Sequence, residues 1–173
     1  ADYGTVPAEN LLTVPDDYDL VTAAAAPMAA GTSWRMLADR AEVKPYDDVL
    51  IVGASGGVGS FSVQIAKNVF NVDTLYTTTS TEEKAAFLRD LGADHVIDYT
   101  EEQFDERIWE LTDKRGVDVV INSVFGDTWQ QSLRSLRNGG RLVTSGATAG
   151  PNPETEARLI FVRQLNILGS TTH

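Results

Sequence analysis

A chain of 173 residues with 42% hydrophobic content has the size and composition of one globular domain with a sizeable core. It contains no cysteine, which excludes disulfides, thiolate catalysis and cysteine-ligated zinc within the chain, and its two histidines, His95 and His173, leave little for a metal site. Twenty-five acidic against fourteen basic side chains give a formal net charge of −11, which excludes a non-specific nucleic-acid binder.

Residues 1–20 read as extended and irregular, because Pro7 and Pro15 bracket them and Pro15-Asp16-Asp17 is turn chemistry. Residues 20–30 are alanine-rich and broken by Pro27. Residues 28–40 carry a helical pattern with Met28, Trp34, Leu37 and Ala41 near one face, as a packing helix would. From Asp48 onward strands and helices alternate. Val49–Val52 is a continuous apolar run, as expected of a strand buried on both faces. A helix follows over 58–70, with Phe61, Ile65, Ala66 and Val69 at helical spacing. Residues 74–79 are β-branched and aromatic, hence a strand. Ser80 and Glu83 form a capping box that opens a helix over 81–91, and Gly92 ends it. A short strand at 96–99 leads to a second capping box, Thr100 with Gln103, and a helix to about Lys114. Gly116 breaks that helix, and 117–121 is another apolar strand. The pattern then gives a helix over 127–137 stopped by Asn138-Gly139-Gly140, a strand over 141–145, a loop over 146–153, a helix over 154–164 and a last strand over 166–170. Six strands alternating with helices imply right-handed crossovers and a parallel sheet with helices on both faces. The expected fold is α/β, a doubly wound six-stranded sheet of the Rossmann type with strand order 3-2-1-4-5-6.

The apolar strand at 49–52 runs straight into Gly53-Ala54-Ser55-Gly56-Gly57-Val58-Gly59 and then a helix. A glycine turn at that junction permits a tight bend, lets backbone approach a pyrophosphate, and packs the helix on the strand. The helix N-terminus then offers unpaired N–H groups and partial positive charge. Gly56, Gly57 and Gly59 stand where those tasks fall, and Ala54 takes the first glycine position of G-x-G-x-x-G. No Gly-Lys-Ser/Thr follows, which excludes a Walker A loop.

Val-Gly-Ala-Ser-Gly-Gly-Val-Gly-Ser at 52–60, followed by Gln64-Ile65-Ala66-Lys67, resembles the nucleotide-binding domain of the medium-chain dehydrogenase/reductase superfamily. The resemblance continues through Glu83-Lys84, the run from Leu91 to Tyr99, Arg115-Gly116-Val117-Asp118-Val119-Val120, Leu136 to Gly140, and Ile167-Leu168-Gly169-Ser170. Its nearest branch is the quinone oxidoreductase (zeta-crystallin-like) and enoyl reductase group. The resemblance implies that residues 1–20 are the trailing edge of a GroES-like catalytic domain and that 21–173 are the dinucleotide-binding domain. It also implies that proton donors and zinc ligands lie mostly outside this chain. One zinc ligand of the zinc alcohol dehydrogenases aligns near Met28, and a thioether there points to the zinc-independent branch.

NAD selection relies on a carboxylate at the end of the second strand, binding the ribose 2′-hydroxyl. Here that strand ends in Thr77-Thr78-Thr79-Ser80, without one. The hydroxyls of Thr79 and Ser80 accept a 2′-phosphate without repulsion. Lys84 lies one turn into the next helix, and the resemblance implies that Lys84 and Tyr99 contact that phosphate. NADP(H) is therefore the expected cofactor. NAD(H) is the weaker alternative, kept open by Glu82 and Glu83 nearby. Ligands of such sheets bind at the carboxyl ends of the strands, which adds Asn122, Ser123 and Val124 after the fourth strand and Ser145, Gly146 and Ala147 after the fifth. By resemblance these flank the ribose and nicotinamide, and Thr32 stands near the carboxamide. Asn122 replaces an aspartate common in the branch. With Ala54, Ser55, Gly56, Gly57, Val58 and Gly59 these residues are the expected cofactor site. No catalytic residue and no metal ligand is assigned, and His95 is expected to be structural.

The expected activity of the intact protein is hydride transfer from NADP(H) to a quinone, an enone or another small carbonyl compound, without zinc. The alternatives are a zinc-dependent alcohol dehydrogenase with its ligands in the missing domain, and a stand-alone NADPH-binding module. No run approaches the ~20 apolar residues of a membrane span, and no signal-peptide pattern stands at the N-terminus, so no membrane partner and a cytoplasmic setting are expected. The acidity is rich in Asp and poor in Lys, as in proteins of high-salt cytoplasms. The apolar last strand, at a sheet edge, leads us to expect a homodimer.

Overall fold

The run Val49–Val52 forms strand β1, and all four of its side chains are buried. That requires cover on both faces of a sheet. The computed structural model, which describes residues 3–171, has β1 in the interior of one six-stranded parallel sheet. The other strands are β2 (Leu75–Thr79), β3 (His95–Asp98), β4 (Val117–Asn122), β5 (Leu136–Thr144) and β6 (Asn166–Gly169). Their order is β3-β2-β1-β4-β5-β6, the doubly wound order that the alternation implies. The direction of winding reverses at β1. There Leu50 sits beside Tyr76 of β2 on one side and Val120 of β4 on the other.

Helices α1 (Leu20–Trp34), α2 (Gly57–Asn68), α3 (Glu82–Asp90), α4 (Phe104–Leu111), α5 (Thr128–Ser135) and α6 (Ala157–Val162) complete the layers. The strand period of two sends alternate side chains to opposite faces. Val49 and Ile51 join Met36, Leu37, Val63 and Leu88 in one apolar layer, and Leu50 and Val52 join Phe104, Ile108, Leu133 and Leu142 in the other.

Several helices differ from the sequence pattern. Pro27 does not break the alanine-rich stretch. α1 runs through it from Asp19, whose carboxylate accepts the Thr22 N–H at 2.7 Å. Proline removes one helical hydrogen bond, and the half of α1 that contains it is largely solvent-facing, so the freed carbonyl is not locked away from solvent. The buried face is Thr32, Ser33, Met36, Leu37 and Ala41, while Met28 and Trp34 are exposed. The face slips because α1 passes into a π-helical segment, Arg35–Arg40, closed by Ala41 N–H on the Met36 carbonyl. In α2 the packed residues are Gly59, Ser62, Val63 and Ala66, and Val69 is exposed. Thr81, not Ser80, caps α3, accepting the Lys84 N–H. Thr100 bonds back to Asp98 instead of capping α4, whose first N–H, at Phe104, is taken by Gln131 Oε1 of α5. α5 stops at Ser135, and β5 begins at once, carrying Asn138-Gly139-Gly140 as an irregularity in the strand. α6 is six residues long, shorter than its pattern. His95 stacks on Tyr76, with ring centroids 5.1 Å apart. The other histidine, His173, lies outside the described residues.

Candidate cofactor site

The site begins where β1 ends. Gly53 takes φ +71°, in the left-handed region that glycine tolerates. Its N–H donates to Thr78 Oγ1 at 3.2 Å, and its carbonyl accepts the Gly56 N–H at 3.2 Å. Thr78 is fully buried on β2, so the neighbouring strand anchors the turn. Gly56 is the N-cap of α2, and no side chain caps that helix. The first-turn N–H groups at Gly57, Val58 and Gly59 are therefore left for a ligand, at the positive end of a 12-residue helix. Gly59 does the packing. A Cβ there would stand 2.6 Å from the Ala54 Cα, so the helix can lie against the turn only as glycine.

A cleft of about 570 Å³ opens over this turn. Gly53, Gly56, Gly57, Val58 and Gly59 form its floor. Ser123 and Val124, beyond β4, form one wall, and Ser145 and Gly146, beyond β5, form another. Thr32 of α1 lines it as well, its hydroxyl donating to the Met28 carbonyl at 2.7 Å. Nine of the residues expected from the sequence thus meet in one concavity: Thr32, Gly56, Gly57, Val58, Gly59, Ser123, Val124, Ser145 and Gly146.

The remaining expected residues stand elsewhere. Ala54 is buried beneath the turn, and Ser55 and Ala147 belong to its flanking loops without lining the cleft. Asn122 is fully buried, with both ends of its amide engaged. Oδ1 accepts the N–H groups of Val124 and Phe125 at 2.8 and 2.9 Å, and Nδ2 donates to Thr128 Oγ1 and Ser132 Oγ, each at 2.9 Å. Thr79, Ser80, Lys84 and Tyr99 gather at the carboxyl ends of β2 and β3, where the Tyr99 N–H donates to the Thr79 carbonyl. Thr79 is 2% exposed, and its Oγ1 is one of the few buried polar atoms without a hydrogen-bond partner among the described residues. Two of the neighbouring acids have partners. The Asp98 carboxylate accepts the Thr100 hydroxyl and N–H at 2.7 and 2.9 Å, which holds its pKa below the usual range. Glu82 is bound by Arg89 at 2.7 Å. Lys84 is in no ion pair among the described residues.

Met28, Gly53, Thr148 and Thr171 also line the cleft and were not expected from the sequence. Gly53, inside the glycine cluster, carries a local signal, and Met28 is marked by its alignment with a zinc-ligand position. Ser170 stands next to Thr171, and its hydroxyl is buried without a partner. The Ser145 hydroxyl lies 3.1 Å from the Met36 sulfur, a contact made by the π-helical segment. Among the described residues, none that lines the cleft has an ionisable side chain. Among the described residues, no cluster of three or more His, Cys, Asp or Glu could hold a metal ion, and no helix is long and apolar enough to cross a membrane.

The sequence pattern of the zinc-binding dehydrogenase family matches residues 57–173. A 2-haloacrylate reductase from a Burkholderia species is 41% identical over 146 residues, which is 83% of this chain and 43% of that protein. A quinone oxidoreductase-like protein 2 homolog from Nematostella vectensis is 30% identical over 164 residues, 95% of this chain and 44% of that protein. A mycobacterial protein solved in complex with NADPH superposes with a TM-score of 0.88 at 35% identity, covering 96% of this chain and 51% of that one. The chain spans about half the length of the relatives it matches. On this pattern of matches, joined to the doubly wound sheet and its glycine turn, the chain belongs to the zinc-binding dehydrogenase family of the medium-chain dehydrogenase/reductase superfamily, in its quinone oxidoreductase and enoyl reductase branch.

Proposed function

We propose that this chain is the NADP(H)-binding domain of a zinc-independent oxidoreductase that reduces a quinone, an enone or a related activated alkene. The observation that carries the reading is the end of β2. A buried, unpartnered Thr79 hydroxyl stands there with Ser80, the strand itself ends without a carboxylate, and Glu82 is paired with Arg89. A 2′-phosphate finds hydroxyl donors there, with the Lys84 ammonium within the next helix. Gly57, Val58 and Gly59 would hold the pyrophosphate on their N–H groups. Ser123, Val124, Ser145, Gly146 and Thr32 would border the nicotinamide half. The bound dinucleotide supplies the hydride. The residues of this chain bind and orient it, through backbone N–H groups and hydroxyls among the described residues of the cleft. Relatives named for quinone and 2-haloacrylate reduction support the substrate class. The lack of any cysteine, with Met28 at the cleft, supports independence from zinc.

Titration of the chain with NADPH and with NADH tests this reading. NADPH is expected to bind more tightly, and tighter NADH binding would overturn it. Lys84→Ala is expected to weaken NADPH by about five- to tenfold, the value of one charge-assisted contact at an exposed site. It should leave NADH within about twofold, since that cofactor has no 2′-phosphate. The isolated chain should turn over no enone, and activity should require the GroES-like half.

We also propose a homodimer joined at β6. This strand ends the sheet and carries the partly exposed Ile167. An unpaired strand edge offers a row of N–H and C=O groups to a second copy. Sedimentation equilibrium should give twice the chain mass, and a monomer at all concentrations would refute the proposal.

A further inference from the structure

The two walls of the cleft come from different loops, and one buried side chain ties them together. We propose that Asn122 is a positioning residue that holds the nicotinamide half of the cleft in shape without touching the cofactor; this rests on the reading of the site as a dinucleotide site.

The hydrogen bonds run outward from Asn122 to the cleft walls. Asn122 Oδ1 takes the N–H groups of Val124 and Phe125. Phe125 has φ +63°, a conformation that costs a non-glycine residue about 1–2 kcal/mol. It persists because the surroundings impose it, and strained backbone of this kind gathers at ligand sites. The strain is held from the other end of the amide as well. Nδ2 donates to the hydroxyls of Thr128 and Ser132, and these pass their own protons on to the carbonyls of Phe125 and Thr128 at 2.7 and 2.8 Å. Each side-chain polar atom of Asn122 is thus satisfied in a neutral, largely buried network, the condition under which such networks are rigid.

What the network fixes is the wall. Val124 lies so close above the glycine turn that a Cβ on Gly53 would stand 2.5 Å from its Cγ2. The Val124 carbonyl accepts the Ala149 N–H at 2.9 Å, and the Gly126 N–H donates to the Gly150 carbonyl at 3.1 Å. The segment anchored by Asn122 therefore contacts the glycine turn on one side and the 146–150 loop on the other. Asn122 acts on β4, on the other side of β1 from Thr79, Lys84 and Tyr99 at the β2–β3 end. Its loss should loosen one half of the site and spare the other.

The test compares two probes on the 173-residue chain by calorimetric titration: NADP⁺, which spans the site, and adenosine 2′,5′-bisphosphate, which has only the adenosine half. Asn122→Ala is expected to weaken NADP⁺ by about tenfold or more, the effect of leaving buried N–H groups unpaired. It should leave adenosine 2′,5′-bisphosphate within about threefold, by the division of the fold into two mononucleotide halves. Asn122→Asp keeps the acceptor for both N–H groups and should stay within about threefold of the parent for NADP⁺. Thr128→Val removes one spoke of the network and should weaken NADP⁺ by about threefold, and it gives the answer if Asn122→Ala does not fold. The proposal is overturned if the folded variants bind NADP⁺ like the parent, or if both probes weaken equally. A parent chain that binds neither probe overturns the dinucleotide reading itself, which is a different outcome.

Discussion

Gly59→Ala lowers the stability of the fold, whereas Gly56→Ala leaves the fold intact and removes cofactor affinity. The two glycines sit three residues apart in the same turn, and their surroundings separate the effects. A Cβ at Gly59 points into backbone, 2.6 Å from the Ala54 Cα and 2.7 Å from its carbonyl carbon, with the Gly53 carbonyl oxygen closer still. None of these atoms can swing aside as a flexible side chain does. Accommodating the methyl requires α2 to lift off β1, and overpacking of that kind costs about 2–3 kcal/mol. For a chain of this length that is a loss of roughly 5–10 °C in the unfolding midpoint. At Gly56 the nearest atom to a new Cβ is the Gly53 carbonyl oxygen at 3.5 Å, an ordinary contact, and the backbone at φ −78° and ψ 172° suits alanine. The added methyl instead stands on the floor of the cleft, where a pyrophosphate must approach the N–H groups closely. NADPH affinity should fall by about tenfold or more while the midpoint stays within about 2 °C of the parent. Thermal unfolding and NADPH titration on both variants check this, and a Gly59→Ala protein as stable as the parent would show that α2 does not depend on that contact.

These contrasts explain which parts of the molecule are readable from sequence. The glycine turn is legible because its requirements are local: a strand buried on both faces, a bend, and a helix starting at once leave few residue types possible at 53, 56 and 59. The strands of the sheet centre are legible for the same reason, since Val49–Val52 and Val117–Asn122 are buried throughout. The doubly wound order then follows from alternation and handedness. Helix ends are less legible. Ser80 and Thr81 both precede a glutamate-rich turn, and only the backbone decides that Thr81 is the cap. The cap of α4 comes from Gln131, 27 residues away in the chain, and no local pattern announces it. Pro27 misleads because α1 continues through it, the packing of its C-terminal half outweighing the local penalty.

The site divides in the same way. Nine expected residues meet in the cleft because strand ends converge at the reversal of winding, a property of the topology. Thr148 and Thr171 are missed because each is brought there by an element whose residues have no motif of their own, whereas Met28 is marked by its alignment with a zinc-ligand position. Asn122 was read as a contact from its place at a strand end. Burial gives it a different task, because a fully buried amide with four partners has no group left to offer a ligand.

The opposite end of the sheet supports the second large effect. Asp118→Asn should destabilise the protein by about 2–3 kcal/mol at neutral pH, near the lower edge of what breaking a buried ion pair costs, because the partner arginines keep partial access to water. The Asp118 side chain is 4% exposed and sits at the amino end of β4. One oxygen accepts the Asp48 N–H at 2.9 Å and Arg115 Nη2 at 2.6 Å, and the other accepts Arg137 Nε. The residue thereby fastens β1, β4 and the start of β5. An amide cannot replace it, since its NH₂ group faces a donor whichever way it is turned. Burial pushes the carboxyl pKa up, but the hydrogen bonds from the Asp48 N–H, Arg137 and Arg115 outweigh this, and the folded value lies below the ordinary one. The sign of the pH effect follows. A carboxyl whose pKa falls on folding adds stability that is present above its unfolded value, about 3.9, and is lost as pH drops through the lower folded value. Asp48 beside it works the other way. Burial raises its pKa, so its ionisation subtracts stability as pH rises through the folded value, and its pairing with Arg115 at 3.0 Å offsets part of that. The parent should therefore lose stability steeply below about pH 4, while Asp118→Asn, already without the carboxylate, should show a shallower acid limb. Because the cleft lies at the carboxyl ends of the strands, the folded variant should bind NADPH like the parent. Chemical unfolding at pH 7 and at acid pH, with NADPH titration as the control, measures all three; parallel acid limbs would remove Asp118 from the account of acid unfolding.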